Sequence, residues 1–219
     1  MRYYSLVRLT RLDVIGTFPQ IKEIKEAVKD TDKFGYLSTL KDEELPNMDS
    51  FLLDSGAALT DSLTVRFFSV LNGFLISNQA KNLFWAFTLS NTSFFSATVY
   101  SEDDIGHDYY YMRIKPSIGI YDYKHSVFEI KSELLNLSDG EVEINTSSDL
   151  EKVNEVLAKE GSKGKTIVPT KLVLTEAFDL FRFPYNPYII ISQRVKDKIE
   201  ASRLVGFAFK DLKWEIINQ

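Results

Sequence analysis

The sequence contains one internal repeat, and this repeat constrains the fold more strongly than any other feature. Residues 73–84 and 188–199 follow the same pattern, in which an apolar strand ends in a serine and a polar helix start follows. The two serines, Ser77 and Ser192, are 115 positions apart. The first N–H groups of a helix lack partners within that helix, so a serine at this place is typical of an N-cap. We therefore expect two strand–serine–helix units.

Each predicted helix of the repeat carries an apolar pair four residues apart, Ala80 with Phe84 and Val195 with Ile199, that would pack back onto the strand. Aromatic strand residues follow each helix, and Gly206 precedes them in the second copy only. Chance and structural duplication both explain the repeat at this point, since capped helices often follow strands. Under either explanation the serines are structural, because no partner base accompanies them as nucleophilic catalysis requires.

Two further helices are predicted from capping patterns. One begins at Ser148, which would cap it while Glu151 closes the capping box, and it ends at Gly161. The other follows Thr17, which together with a reciprocal glutamine would cap an amphipathic helix over residues 21–28.

The predicted strands alternate irregularly with the helices. They are expected at residues 3–9, in a meander over 109–114, 118–121 and 126–130, and at 166–174 and 177–183, while the apolar stretch 65–76 is core as either helix or strand. Irregular alternation favours an α+β fold over a regular parallel α/β fold. We expect a mixed, mainly antiparallel sheet with a few packed helices and a repeated strand–serine–helix–strand unit.

Length and composition predict one domain of a cytoplasmic protein. A chain of 219 residues can bury a large core, and we expect a single domain over 1–219 with residues 1–65 as an N-terminal subregion. The net charge of −5 disfavours a nucleic-acid partner, because phosphate binding needs a concentrated cationic face. Arg8 and Arg11 interrupt the first apolar residues, and no apolar run is long enough to span a bilayer, so neither export nor a membrane partner is expected.

Few residues in the sequence suggest chemistry. Cysteine is absent, which excludes disulfides and thiolate metal sites. The two histidines, His107 and His125, lack the spacing of a metal site, and the chain has no G-x-S-x-G elbow. We therefore expect no catalytic residue, no cofactor and no metal ion. Two alternatives stay open: a hydrolase built on Asp103, Asp104 and Asp108, and a non-catalytic scaffold or assembly subunit.

Several segments of the chain occur in an order that is similar to a known family. They are the strand, serine and helix start at 74–81, the tyrosine-rich strand at 109–112 followed by Asp122 and Ser126, the segments 171–174 and 179–182, and the closing strand, serine and helix at 190–209. Over residues 66–213 this order resembles the immunity-protein family of bacterial polymorphic toxin systems, once catalogued as a domain of unknown function.

The resemblance implies a protein that binds and neutralises a co-encoded toxin by protein–protein contact, without catalysis. Asp122 and Ser126 would be turn and cap residues of the scaffold. Trp85 and Phe87 depart from the family pattern, because they make the first repeat helix more aromatic.

Acidic clusters at 42–44, 102–104 and 139–143 are candidates for partner contact. Many toxins are nucleases and must be cationic to hold their substrate, so acidic residues would steer such a toxin toward its inhibitor. The candidate residues are Asp42, Glu43, Glu44, Glu102, Asp103 and Asp104, with the neighbouring tyrosines Tyr109, Tyr110 and Tyr111. Carboxylates beside aromatic anchors are typical of interface hot spots. Charge runs are equally typical of solvated loops, so both interpretations stay open.

Overall fold

The computed structural model describes residues 1–24, 51–65, 73–132, 137–159, 164–185 and 188–218. The helices in these residues are α1 (Leu12–Ile15), α2 (Asn78–Trp85), α3 (Ser147–Lys159) and α4 (Gln193–Ala201), with a turn of 3-10 helix at Tyr123–His125. The strands are β1 (Tyr3–Arg8), β2 (Ile21–Ile24), β3 (Phe51–Leu53), β4 (Ser62–Leu63), β5 (Gly73–Ser77), β6 (Thr92–Tyr100), β7 (Gly106–Ile114), β8 (Val127–Ser132), β9 (Leu137–Val142), β10 (Lys165–Leu174), β11 (Leu180–Arg182), β12 (Ile189–Ser192), β13 (Phe207–Asp211) and β14 (Glu215–Asn218). None of the helices in the described ranges is long and apolar enough to cross a membrane.

The described strands pair in three sheets. The first has the order β2-β3-β6-β7-β5-β4, the second β11-β12-β1-β13 and the third β14-β10-β8-β9. The pairs β3–β6 and β10–β14 are parallel, and the other named pairs are antiparallel. The prediction of an α+β fold with mixed, mainly antiparallel pairing is confirmed, although the strands are divided among three sheets.

The internal repeat is a structural duplication. The first unit consists of β4, β5, α2, β6 and β7, and the second consists of β11, β12, α4, β13 and β1. In the first unit Ser77 faces Tyr109 across β5 and β7, and in the second unit Ser192 faces Tyr3 across β12 and β1. On the other side of the middle strand, β6 and β13 keep the same pairing register. Chance likeness of two short segments does not produce a shared register across four strands.

The two units differ in how the chain reaches their middle strand. In the first unit β6 turns directly into β7, which lies between β6 and β5. In the second unit this middle position belongs to β1, at the start of the sequence. The pair Tyr109 and Tyr110 therefore corresponds to Tyr3 and Tyr4, an equivalence that the spacing of the two serines does not reveal.

The largest apolar core of the described residues lies between the two units. Helices α2 and α4 contact each other, and Ala80, Phe84, Val195 and Ile199 all face this core. Each of these side chains is 1% exposed or less. Burying a side chain the size of phenylalanine stabilises a fold by about 1.5–3 kcal/mol. The burial of the apolar pairs predicted from the repeat is confirmed, and the structure adds that the two pairs share one core between the units.

Ser77 and Ser192 cap α2 and α4, as predicted. Each hydroxyl oxygen accepts a hydrogen bond from the backbone N–H three residues further on, at 3.1 Å for Ser77 and 3.4 Å for Ser192. Each hydroxyl also donates to an aspartate that the sequence did not indicate, with Ser77 bound to Asp61 and Ser192 bound to Asp179, both at 2.7 Å. The equivalent partners show that the duplication extends to the caps.

The second oxygen of each aspartate binds the chain that leaves the helix of the other unit. Asp61 Oδ2 accepts from the backbone N–H of Val205, after α4, at 2.8 Å. Asp179 Oδ2 accepts from the backbone N–H of Thr88, after α2, at 3.2 Å. Each aspartate therefore joins the start of one helix to the end of the other, and the two units hold each other.

Gly206 and Asn91 occupy equivalent positions before β13 and β6, and both have positive φ, 99° for Gly206 and 48° for Asn91. A Cβ on Gly206 would lie 2.2 Å from the backbone oxygen of Ser62, so only glycine fits there. Asparagine tolerates the left-handed region better than most residues, which explains why the first unit needs no glycine.

The helix predicted after Thr17 is wrong where it can be compared. Residues Ile21–Ile24 form β2, which pairs with β3, and residues 25–28 lie outside the described residues. Gln20 does not close a capping box but is buried, with its backbone N–H bound to Thr64 Oγ1 at 2.8 Å. Long-range bonds to β3 and Thr64 override the local helical pattern.

The cap predicted at Ser148 is also wrong, because α3 begins earlier and Ser148 lies in its first turn. The observed capping box joins Thr146 and Asp149, with the Asp149 N–H donating to Thr146 Oγ1 at 3.2 Å and that hydroxyl donating to Asp149 Oδ2 at 2.8 Å. Both Thr146 and Ser148 precede an acidic residue by three positions, so the sequence offers two boxes. The earlier start gives the N–H of buried Leu150 a helical partner, the carbonyl of Thr146.

The predicted meander is only partly present. Its first and last strands are β7 and β8, but they lie in different sheets and do not pair. Between them, residues 118–121 form a turn with a single bridge from Tyr121 to Leu174. The strands predicted at 166–174 and 177–183 are confirmed as β10 and the shorter β11. Of the apolar stretch 65–76, residues 73–76 belong to β5, and 66–72 lie outside the described residues.

Candidate functional site

Trp85 is the most exposed large apolar side chain of the described residues, with 70% of its surface accessible. It ends α2, one position after Phe84, which is fully buried between the two units. Consecutive helix residues point about 100° apart, so the burial of Phe84 turns Trp85 outward. The packing of α2 therefore holds a tryptophan on the surface.

Trp85 does not stand alone, because its ring lies against Phe94 of β6 with the ring centroids 5.6 Å apart. Phe87, two residues after Trp85, is half-buried at the edge of the same core. We call Trp85, Phe87 and Phe94 the Trp85 surface. Trp85 ends α2, Phe87 follows that end, and Phe94 lies on β6 opposite the buried Met112.

Two cations lie beside the Trp85 surface. The guanidinium carbon of Arg194 is 5.8 Å from the ring centroid of Phe87, and the Lys81 ammonium is 3.7 Å from the ring centroid of Tyr110, in the strand next to Phe94. Cations over aromatic faces are weakly stabilising when exposed. They form the cationic rim of the Trp85 surface, and the Arg194 guanidinium is also 3.8 Å from the buried carboxylate of Asp179.

The second unit shows which residue types the fold accepts at the position of Trp85. The residue equivalent to Trp85 is Glu200, which forms an ordinary helix ion pair with Lys196 at 3.0 Å. Phe209, the equivalent of Phe94, lies under the same lysine, whose ammonium is 5.6 Å from its ring centroid. A charged surface residue serves equally well here, so the scaffold does not explain Trp85.

The acidic turn predicted as a contact site, Glu102–Asp104, connects β6 to β7. All three side chains are exposed, and Asp104 adopts a positive φ of 57° at the tip. The turn lies eight residues along β6 from Phe94, about 25 Å at the rise of an extended strand. The structure therefore separates the acidic turn from the Trp85 surface.

Two of the three tyrosines predicted as aromatic anchors beside this turn, Tyr109 and Tyr111, are buried. Tyr109 is 6% exposed and Tyr111 is fully buried, and only Tyr110 is half-buried. The Tyr109 hydroxyl donates to the backbone oxygen of Thr60 at 2.7 Å, and burial raises the pKa of Tyr109, with the charge of Asp61 as a second cause. Both faces of β7 are covered: Tyr109 and Tyr111 pack in the cluster with Phe51 and Leu75, and Tyr110 borders the core between the two units.

The remaining predicted residues fall outside the Trp85 surface. Asp42, Glu43 and Glu44 lie outside the described residues. The hydrolase candidates Asp103, Asp104 and Asp108 are all exposed, on the turn and the start of β7, a solvated arrangement unlike a catalytic cleft.

His125 and the turn after β7 are held by local hydrogen bonds. His125 is exposed, and its Nδ1 is 2.7 Å from Asp122 Oδ2. Asp122 also caps the 3-10 turn, and the Ser126 hydroxyl donates to the Asp122 carbonyl at 2.6 Å, which confirms both as turn and cap residues. Within the described ranges, no group of three or more histidine, aspartate or glutamate side chains could hold a metal ion.

Comparison with known proteins adds no family. No protein-family model matches the sequence, and no curated protein matches it. The resemblance to immunity proteins therefore stays a hypothesis that depends on the order of the segments described above.

Sequence reasoning noted Trp85 only as a departure from a family pattern. Aligning the two copies of the repeat could have identified it, because position 85 is a tryptophan and the equivalent position 200 is a glutamate.

Proposed function

We propose that this protein acts by binding another protein through the Trp85 surface, and that the partner is a co-encoded bacterial toxin which the binding neutralises. The observation that supports the binding surface is the 70% exposure of Trp85, at a place where the second unit has a glutamate. The identity of the partner as a toxin depends on the family resemblance alone.

An exposed tryptophan beside a phenylalanine has the composition of an interface hot spot. Tryptophan, tyrosine and arginine dominate such sites, and a few of them carry most of the binding free energy. Both Trp85 and Arg194 are exposed, although Arg194 also pairs with Asp179 at 3.8 Å, so its guanidinium is shared between that carboxylate and a partner. The positive rim favours a partner face that presents carboxylates or carbonyl oxygens around an apolar pocket.

The acidic turn Glu102–Asp104 is a second candidate contact. It favours a basic partner face, whereas the rim of the Trp85 surface favours an acidic one. It would attract a basic toxin from a distance and change the association rate more than the lifetime of the complex. The two candidates can therefore be distinguished by kinetics as well as by mutation.

The test is a binding measurement between the purified protein and the product of the adjacent gene, with protection of cells that express that product. We expect Trp85→Ala to weaken binding by about 30-fold, the effect of losing about 2 kcal/mol at a hot spot. Glu200→Ala is the matched control, since it truncates the equivalent position of the second unit, and it should leave the affinity unchanged.

A triple change of Glu102, Asp103 and Asp104 to their amides tests the acidic turn, and slower association at low salt would assign it the steering role. Absence of binding and of protection would remove the toxin hypothesis. Equal affinity of Trp85→Ala and the unaltered protein would remove the Trp85 surface as the contact.

A further inference from the structure

A cavity of about 390 Å³ opens between the second and third sheets. Its walls come from β1, β13 and the loop that follows β13 on one side, and from β8 and β10 on the other. This volume is within the range of small-molecule sites, about 300–1,000 Å³. None of the proposals above uses this cavity.

The carboxylates at the cavity already have cationic partners. Glu129 is paired with Lys131, whose ammonium is 3.3 Å from Glu129 Oε1. Asp211 is paired with Arg2, whose guanidinium is 2.8 Å from Asp211 Oδ1. These pairs leave no uncompensated negative charge among the described lining residues.

Two further lysines of the lining, Lys210 and Lys213, are exposed, and neither forms an ion pair with another described residue. The mouth of the cavity is therefore cationic. Because charges near a protein surface interact more strongly than in bulk water, two lysines that line one cavity favour an anion there.

A buried hydroxyl lies beside these lysines. Ser5 of β1 faces Lys210 of β13 in the sheet register, and both residues line the cavity. Ser5 is 2% exposed, and its Oγ has no hydrogen-bond partner among the described residues. A buried hydroxyl without a partner is unfavourable by about 1–3 kcal/mol, so it gains when a ligand supplies an acceptor.

The rest of the lining is apolar and aromatic. Trp214 packs on Phe183 inside the core, with the ring centroids 6.4 Å apart, and it also borders the cavity together with Leu212 and Val168. An apolar wall with a few convergent polar groups is the usual composition of a small-molecule site.

We propose that this cavity binds a small organic anion, with its carboxylate or phosphate held by Lys210, Lys213 and the Ser5 hydroxyl and its apolar body against Trp214. The proposal does not depend on the function proposed for the Trp85 surface. No covalent step is involved.

The test uses benzoate as the probe and benzamide as its uncharged isostere. The chain has two tryptophans, so a Trp85→Phe background leaves Trp214 as the only indole. The indole N–H signal of Trp214 in NMR spectra then reports binding at the cavity. We expect benzoate to shift this signal in a saturable manner. Benzamide should bind with a dissociation constant at least about tenfold higher, because only benzoate carries the charge.

Variants locate the anion. Lys210→Gln with Lys213→Gln should weaken benzoate binding about tenfold, or about 1.4 kcal/mol. The matched control, Lys124→Gln with Lys198→Gln, makes the same charge change at exposed lysines outside the cavity lining and should leave binding unchanged. Ser5→Ala should weaken benzoate binding without lowering the thermal midpoint, because it removes an unpartnered hydroxyl. A merely structural serine would change the midpoint and not the binding.

Three outcomes would overturn the proposal: no saturable shift of the Trp214 signal with benzoate, equal binding of benzamide and benzoate, or equal weakening by the cavity and control lysine pairs. Replacing benzoate by inorganic phosphate in the same titration separates the two anion chemistries. Tighter binding of phosphate than of benzoate would assign a phosphate site and contradict the role of the apolar wall.

Discussion

The two units of the duplication share their strand register and their serine caps, but they differ in burial. Asp179, which holds the Ser192 cap, is 3% exposed, whereas Asp61, which holds the Ser77 cap, is only half-buried. Water can replace a lost bond at Asp61 more easily than at Asp179. The two aspartates therefore have the same geometry but contribute unequally to stability, and removing Asp179 should destabilise the fold more than removing Asp61.

The units also differ at one exposed helix position, which in the first unit belongs to the proposed binding surface. Trp85 of the first unit corresponds to Glu200 of the second, and the shared scaffold accepts either residue. The difference between Gly206 and Asn91 is explained by backbone conformation, whereas nothing in the scaffold explains the tryptophan at position 85. Paired mutations at equivalent positions can test each part of this comparison.

The largest effect is expected at the turn before β13. Gly206→Ala places a Cβ 2.2 Å from the backbone oxygen of Ser62 at a φ of 99°, so steric conflict and backbone strain act together. We expect the free energy of unfolding to fall by about 4 kcal/mol. Asn91→Gly, at the equivalent position, should change it by less than about 1 kcal/mol. Urea unfolding measures both, and similar losses would show that the two turns are not equivalent.

The next largest effect is expected at the aspartates that join the helices. Asp179→Ala leaves the buried Ser192 hydroxyl and the Thr88 N–H without acceptors, and should lower the free energy of unfolding by about 3 kcal/mol. Asp61→Ala should cost about 1.5 kcal/mol, because water reaches the groups it leaves. Chemical denaturation gives both values, and a larger loss for Asp61→Ala would reverse the ranking of the two units.

The equivalent tyrosines Tyr109 and Tyr3 should make the protein sensitive to alkali. Burial raises the pKa of both hydroxyls, and the shift is larger for Tyr109. Above the ordinary pKa of about 10, the unfolded chain loses these protons while the folded chain keeps them, so the free energy of unfolding falls as the pH rises. The slope is about 1.4 kcal/mol per pH unit for a tyrosine that stays fully protonated in the folded state, and smaller otherwise. This stabilisation is complete below that pH and is lost as the pH rises toward the folded pKa.

Tyr109→Phe should therefore flatten the alkaline decline more than Tyr3→Phe does. Unfolding curves at several pH values on both sides of the ordinary tyrosine pKa measure the two slopes. An unchanged slope in Tyr109→Phe would show that this hydroxyl ionises in the folded protein.

The smallest stability effect is expected at the surface position that differs between the units. Trp85→Ala should lower the free energy of unfolding by less than about 1 kcal/mol, since most of its side chain is already in water. Glu200→Ala should cost about 0.5 kcal/mol through its ion pair with Lys196. A thermal melt checks both variants, and a large loss in Trp85→Ala would mean that the tryptophan is structural and not a binding residue.

Local patterns in the sequence predicted the features that depend on neighbouring residues. The caps at Ser77 and Ser192 and the buried pair of Ala80 and Phe84 were predictable, because a cap and an i,i+4 face are set within one helical turn. The wrong cap at Ser148 came from two overlapping boxes of equal local quality. The wrong helix after Thr17 came from a partner strand that only the fold brings near.

The candidate site was less predictable than the fold. Tyr109 and Tyr111 looked like surface anchors next to an acidic turn, but apolar clusters cover both faces of β7 and bury them. The cavity beside Ser5 joins residues from both ends of the chain, and nothing in their local sequence connects them.

The sequence by itself determined the class of the fold, the two serine caps and the buried apolar face of each capped helix. Each of these depends on periodicity and on hydrogen bonds between near neighbours. The tertiary structure alone decided that β1 completes the second unit, that Asp61 and Asp179 join opposite helices, and that Trp85 remains outside the core. Those features depend on which distant segments meet, because burial and long-range pairing are set by the whole chain.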